Sequence, residues 1–293
     1  MDKNGAREED VILSVVIPTF NRCYQLDNCL SFLFKQNYPS WKYEVIVVDD
    51  NSNDETPEVL SRYSINYRNL KIIRNKENKG PYYSRNLGAK RSKGEIVMFT
   101  DDDCMFPSNW LQQIEKAFQN QEVSCVQGTQ QYRGKFPSLE PEGEFYLKML
   151  KKKRGLDTKN LAIRRNLILK YCFNEEMRCA GDGELGLRLA VNHTRIIYDP
   201  KIWVVHAPTY SFKDHITRVK IWGTNYAYIH QIYGWTGSNP RFRYPFPLLF
   251  FFYLASFPYF LLKFRSLRGT IAFIATLLVQ GLYFKISIMK TRA

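Results

Sequence analysis

Carboxylates crowd three short stretches of this chain. Asp49 and Asp50 close the apolar run 44–48, and Asp101, Asp102 and Asp103 follow the apolar run 95–99. Asp182 and Glu184 sit in GDGELG, just ahead of the helical run 185–190. Three adjacent carboxylates repel one another and are costly unless a cation neutralises them. Hard oxygen ligands on a short loop suit Mg²⁺ or Mn²⁺ and suit Zn²⁺ poorly. An ion held by so few side chains completes its shell with water and substrate phosphates. The triplet therefore points to a metal-bound phosphate compound. Its bland reading is an exposed acidic turn before a helix, where Asp is also favoured.

GDGELG also matches G-x-G-x-x-G. It follows 173–178, which is not a strand, and an acid at the helix start would repel a pyrophosphate, so the dinucleotide reading fails. A carboxylate there acts as a base or as a plain N-cap. No Ser-His or Cys-His signature accompanies these acids, in agreement with chemistry that needs no covalent intermediate.

The elements that must position these groups alternate. Strands are expected at 12–17, 44–48, 70–73, 95–99 and 123–126. Helices are expected at 27–35, at 81–90 behind Gly80, and at 107–118 with Pro107 in the first turn. That pace is of βαβ units, hence an α/β fold with a mainly parallel sheet. Ligands in such sheets sit beyond the carboxyl ends of the strands, where the acids fall.

The chain has 293 residues, 45% of them hydrophobic and 24% charged, which excludes disorder. A formal charge of +14 points to anionic partners: nucleic acid, a membrane surface or phosphorylated small molecules. A nucleic-acid binder would leave the acids at strand ends unexplained, so no nucleic-acid partner is expected. The six cysteines show no metal spacing and read as reduced core residues. The apolar run 11–17 is too short and too late for a signal peptide, so the catalytic part is expected on the cytoplasmic side.

Residues 1–240 read as a catalytic domain and 241–293 as an apolar appendage. Segment 244–262 carries no charge; segment 271–289 includes Gln280 and Lys285. Each is just long enough to span a bilayer. Lys263, Arg265 and Arg268 between them, with Lys290 and Arg292 beyond, give no inside-outside asymmetry. A helical hairpin lying in the cytoplasmic leaflet is favoured; a two-span hairpin and a buried soluble pair are the alternatives. The run 148–170, with nine Lys or Arg, reads as a solvated surface or as a contact for anionic lipid or a phosphorylated acceptor.

Five motifs in order resemble those of family 2 glycosyltransferases, inverting enzymes of the GT-A fold: VVIPTFNR at 15–22, VVDDNSND at 47–54, SRNLG at 84–88, FTDDDCMFPSNWL at 99–111 and AGDGELGLRL at 180–189. The resemblance covers roughly residues 11–225. It implies a GT-A, Rossmann-like sheet flanked by helices. It implies that Pro18, Thr19, Phe20 and Asn21 cradle the donor's base and ribose, with Phe20 stacking on the base. Asp50 would bind the base's ring NH, with Asp49 a less certain partner, and Arg85 the nucleotide. Asp101 and Asp103 would hold Mg²⁺ or Mn²⁺ in a D-x-D motif, with Asp102 between them beside the donor. His206, at the end of the apolar run 202–205, would approach the metal or diphosphate, or be structural. Asp182 would be the general base and Glu184 its rival. The family often places an acid before this Asp; here that position is Gly181. The implied donor is a nucleotide-diphosphate sugar, UDP-linked by preference and GDP-mannose as the alternative. A membrane-associated enzyme with a lipid-linked acceptor is expected, against a soluble glycan or protein acceptor or an inactive scaffold.

Overall fold

The computed structural model describes residues 11–133, 155–209, 211–233 and 267–290, with positions 148, 150–152, 255, 257 and 258. The described residues form two compact units. One holds those of Met1–Gln131, Glu142–Glu176 and Gly181–Ala207, the other those of Tyr132–Pro141, Met177–Ala180 and Pro208–Ala293.

The first unit is built on β1 (Leu13–Thr19), β2 (Tyr43–Asp49), β3 (Leu70–Arg74), β4 (Ile96–Phe99), β5 (Cys104–Met105), β6 (Cys125–Tyr132), β7 (Leu161–Arg164) and β8 (Ile196–His206). Among the described residues these make one sheet, in the order β3-β2-β1-β4-β7-β6-β8-β5. Pairing is parallel from β3 through β4 and antiparallel at β4-β7, β7-β6 and β8-β5. The parallel half fits the βαβ expectation. β1 and β2 are buried almost end to end, as strands covered on both faces must be. The antiparallel half was legible only in part: the strand expected at 123–126 overlaps the start of β6, whereas short strands such as Leu161–Arg164 carry no crossover helix to announce them.

Helices α1 (Cys23–Leu33), α2 (Thr56–Asn66), α3 (Pro81–Arg91), α4 (Trp110–Ala117), α5 (Arg165–Tyr171) and α6 (Gly181–Val191) flank the sheet. Two starts differ from expectation, for one reason. α1 begins four residues early because Asp54 Oδ2 accepts from the Cys23 N–H at 3.1 Å, a cap from a distant loop. α4 begins three residues late: Pro107 lies in a turn closed by Trp110 N–H to Pro107 O, and Gln36 Oε1 accepts from the Leu111 N–H.

α3 lies on β1 without a gap. A Cβ at Gly88 would fall 2.4 Å from Val16 Cγ1. Gly88→Ala is expected to destabilise the protein by about 1–3 kcal/mol through overpacking, read by chemical denaturation. An unchanged denaturation midpoint would show that α3 can shift freely.

In the second unit α7 (Phe212–Tyr233) packs on α8 (Leu267–Lys290), with the His230 ring 5.7 Å from that of Phe284 and Lys220 Nζ over Tyr283. Segment 271–289 is thus one helix, and the partner shown for it is α7. Most of segment 244–262, the other arm of the expected hairpin, lies outside the described residues, as do 134–147, Lys153 and Arg154. Among the described residues no helix is long and apolar enough to cross a membrane.

Candidate active site

The turns after β1 and β2 are locked together. Asn21 and Asn51 both adopt left-handed backbone, which Asn tolerates better than most residues. The Asn21 N–H donates to Ser52 Oγ at 2.9 Å, and Asn21 Oδ1 accepts from the Asn53 N–H at 2.8 Å. Asp49 accepts from the Ser52 N–H and pairs with Arg74 at 3.0 Å. Asp50 accepts from Asn75 Nδ2, the Lys79 N–H and the Gly80 N–H, at 2.7–2.9 Å, and so holds the approach to α3. Both carboxylates, expected at the donor's base, face protein loops. Pro18 is the one half-buried residue of β1, Thr19 beyond it is buried, and Phe20 stands 42% exposed, so its ring is accessible for stacking. An open cleft of about 670 Å³ runs past Asn21, Arg22, Tyr24 and Asp54; none of Asp101, Asp103 and Asp182 lines it.

The acidic triplet is neutralised from within. Asp101 Oδ1 accepts from Arg85 at 2.5 Å. Asp102 accepts from Thr19 Oγ1 at 2.8 Å and pairs with Arg22 Nε at 3.0 Å. Asp103 takes the Arg22 NH2 at 2.6 Å and faces His206 Nε2 at 3.3 Å. Two guanidiniums, those of Arg22 and Arg85, supply countercharge to the three carboxylates. Burial opposes the charged form of Arg22, yet Asp102 and Asp103 outweigh it and hold the guanidinium firmly protonated. Burial pushes the Asp102 carboxyl up to about 7, against the pull of Arg22. Asp102 thus brackets the β1 and β4 loops through Thr19 and Arg22.

The donor set still suits a hard divalent ion. Asp103 and His206 are deeply buried and converge because β5 pairs with β8, Cys104 opposite His206. Carboxylate plus imidazole fits Mn²⁺ well, with Asp101 two residues away. Among the described residues no group of three such side chains is gathered into a site.

Asp182 opens α6. Its Oδ1 accepts from the Tyr82 hydroxyl at 3.3 Å and the Gly183 N–H at 2.9 Å; its Oδ2 accepts from the Thr158 N–H at 3.2 Å. Burial raises its pKa and Asp157 raises it further, against Lys159 and Arg85. Asp157 supplies electrostatically the acidic neighbour that the sequence lacks at 181. Glu184, the rival carboxylate, is placed differently. Its carboxylate grips Arg188 at 2.7 and 2.8 Å, and Arg188 also donates to the Cys172 carbonyl, so Glu184 is a buried structural anion.

Arg85 joins the two acidic centres. It pairs with Asp101 while lying over the Tyr82 ring, 5.2 Å from its centroid, and Tyr82 reaches Asp182. Sequence reasoning missed Arg22, Tyr82, Asp157 and Lys159. Tyr82 was visible as the residue three before Arg85, on the same helix face. Arg22 stood in the VVIPTFNR motif, but nothing in the sequence placed it beside acids 81 residues on. For Asp157 and Lys159 there was no signal.

The model of glycosyl transferase family 2 matches residues 14–177, more than half of the chain. The chain therefore belongs to glycosyl transferase family 2. It is 32% identical over 167 residues to glycosyltransferase AglE of Haloferax volcanii, over 56% of this chain and 54% of AglE. It is 27% identical over 172 residues to WfgD of Escherichia coli, a UDP-Glc:alpha-D-GlcNAc-diphosphoundecaprenol beta-1,3-glucosyltransferase, over 56% of this chain and 65% of that protein. The chain thus spans about half to two-thirds of the length of these relatives. The mannosyltransferase PcManGT of Pyrobaculum calidifontis, solved with GDP-Man and Mn²⁺, has the same fold, with a TM-score of 0.68 at 20% identity over 96% of this chain and 88% of that one.

Proposed function

We propose that this chain is an inverting glycosyltransferase that moves a sugar from a nucleotide-diphosphate sugar to an acceptor hydroxyl. The carrying observation is a half-buried carboxylate with a raised pKa, Asp182, linked through Tyr82 and Arg85 to the acidic triplet. A base at one end and a diphosphate-side cluster at the other are what a single displacement needs. Asp182 takes the proton from the attacking hydroxyl, and its raised pKa makes it a stronger base than an ordinary carboxylate. Arg85 and Arg22 hold positive charge beside the point where the leaving diphosphate develops negative charge. Phe20 stacks on the base, and Thr19 fixes the loop beneath it. Asp103, His206 and Asp101 are the residues that would hold Mg²⁺ or Mn²⁺, which when bound offsets charge on the leaving diphosphate.

UDP-sugars are the favoured donors, as the name of WfgD supports; the GDP-Man complex of PcManGT keeps GDP-mannose as the second reading. A lipid-diphosphate acceptor is proposed on the same name and on the basic run 148–170, with the enzyme at the cytoplasmic face of a membrane. The test is nucleoside diphosphate release with UDP- and GDP-sugars, Mn²⁺, and either a polyprenyl-diphosphate sugar or a soluble saccharide. Release with one nucleotide, faster with the lipid acceptor and giving a product of opposite anomeric configuration, is expected. A product of retained configuration would sink the mechanism; equal rates on both acceptors would sink the lipid assignment.

A further inference from the structure

We propose that Tyr82 is a positioning residue that sets the orientation and basicity of Asp182, and that position 181 is glycine because the Tyr82 ring occupies its side-chain space. This inference rests on the reading of Asp182 as the base. Tyr82 is buried, 4% exposed. Its hydroxyl accepts from the Gly181 N–H at 2.9 Å and donates to Asp182 Oδ1 at 3.3 Å. One phenol therefore spans the first two residues of α6. Its ring is fixed on both sides, stacked on Phe173 at 5.4 Å and covered by the Arg85 guanidinium. A Cβ at Gly181 would lie 2.7 Å from Tyr82 Cε2 and 2.9 Å from Cζ, contacts that real Cβ atoms do not make. The same ring leaves no room at 181 for the acid that the resemblance leads one to expect there.

Of the other groups facing Asp182, the Gly183 N–H shares Oδ1 at 2.9 Å. Thr158 N–H holds Oδ2, Asp157 lies nearby with Lys159 Nζ on it at 2.9 Å, and Arg85 is drawn to Asp101. Tyr82 supplies the side-chain hydrogen bond to Oδ1. A hydroxyl donating to a carboxylate favours its charged form. Without it, Asp182 turns more freely and binds its proton more tightly.

The experiment compares wild type, Tyr82→Phe, Gly181→Ala and Asp182→Asn, measuring kcat and donor KM from pH 4.5 to 8, and thermal unfolding. For Tyr82→Phe, kcat at neutral pH is expected to fall about tenfold, donor KM to hold, and the acid limb of the kcat profile to move to higher pH. Gly181→Ala, which pushes the ring and its hydroxyl aside without removing them, is expected to move the limb the same way. A folded Tyr82→Phe protein with wild-type kcat and limb would overturn the proposal. Where Tyr82→Phe does not unfold cooperatively, Gly181→Ala decides by the same readouts, and an unmoved limb overturns it. Turnover by Asp182→Asn at the wild-type rate is a different failure, that of the base assignment itself.

Discussion

Asp182→Asn is expected to lower sugar transfer by roughly 10²–10⁴-fold while donor binding survives, the range of a lost general base. Asn keeps the shape, but its one carbonyl oxygen can accept from Gly183 or from Thr158 and not from both, because the two N–H groups bind different oxygens of Asp182. Thermal unfolding of the variant separates any loosening of α6 from the loss of proton removal. The pH profile of the wild type gives an independent check. Burial and Asp157 raise the Asp182 pKa, so its basic form is lost at a higher pH than an ordinary carboxylate's. Activity should decline from that higher pH downward, and the decline should vanish from the residual rate of Asp182→Asn. An acid limb identical in both proteins would assign it to another group.

The second large effect is expected at Asp103. Asp103→Asn should reduce transfer about 10²–10³-fold, the several kcal/mol that stabilising a leaving diphosphate is worth. Chelation should bring the wild type down to the same level, and re-added Mn²⁺ should restore only the wild type. The variant should remain folded, since Arg22 keeps its pairing with Asp102 and His206 stays in β8. A chelated wild type that retains full activity would mean that Arg22 and Arg85 alone manage the diphosphate charge.

The parallel half of the fold was readable because each of its strands is an apolar run ending in a chemically marked turn. Val45–Val48 and Ile96–Phe99 announce themselves, and the acids behind them mark their carboxyl ends. What escaped was whatever depends on a partner far along the chain. The cap of α1 is Asp54, the cap of α4 is Gln36, and the countercharge of the Asp102–Asp103 pair is Arg22. Single-sequence reading sees residue types and spacing, so it placed the acids correctly and attributed their neutralisation to an ion alone. It kept Glu184 as a rival for Asp182 because two carboxylates in GDGELG look alike until Arg188, one helical turn on, is seen to hold one of them.

The pairing of β5 with β8 sets a timetable for biosynthesis. Asp103 meets His206 across a separation of about 100 residues, and that contact needs β8 to have left the ribosome. At about 5–20 residues per second, the acidic triplet spends roughly 5–20 s in the nascent chain before its histidine emerges. Arg22 and Arg85, synthesised earlier, are on hand throughout that interval. The two arginines thus act as resident counterions for a half-built centre, keeping three adjacent carboxylates from repelling one another until the last strand closes over them.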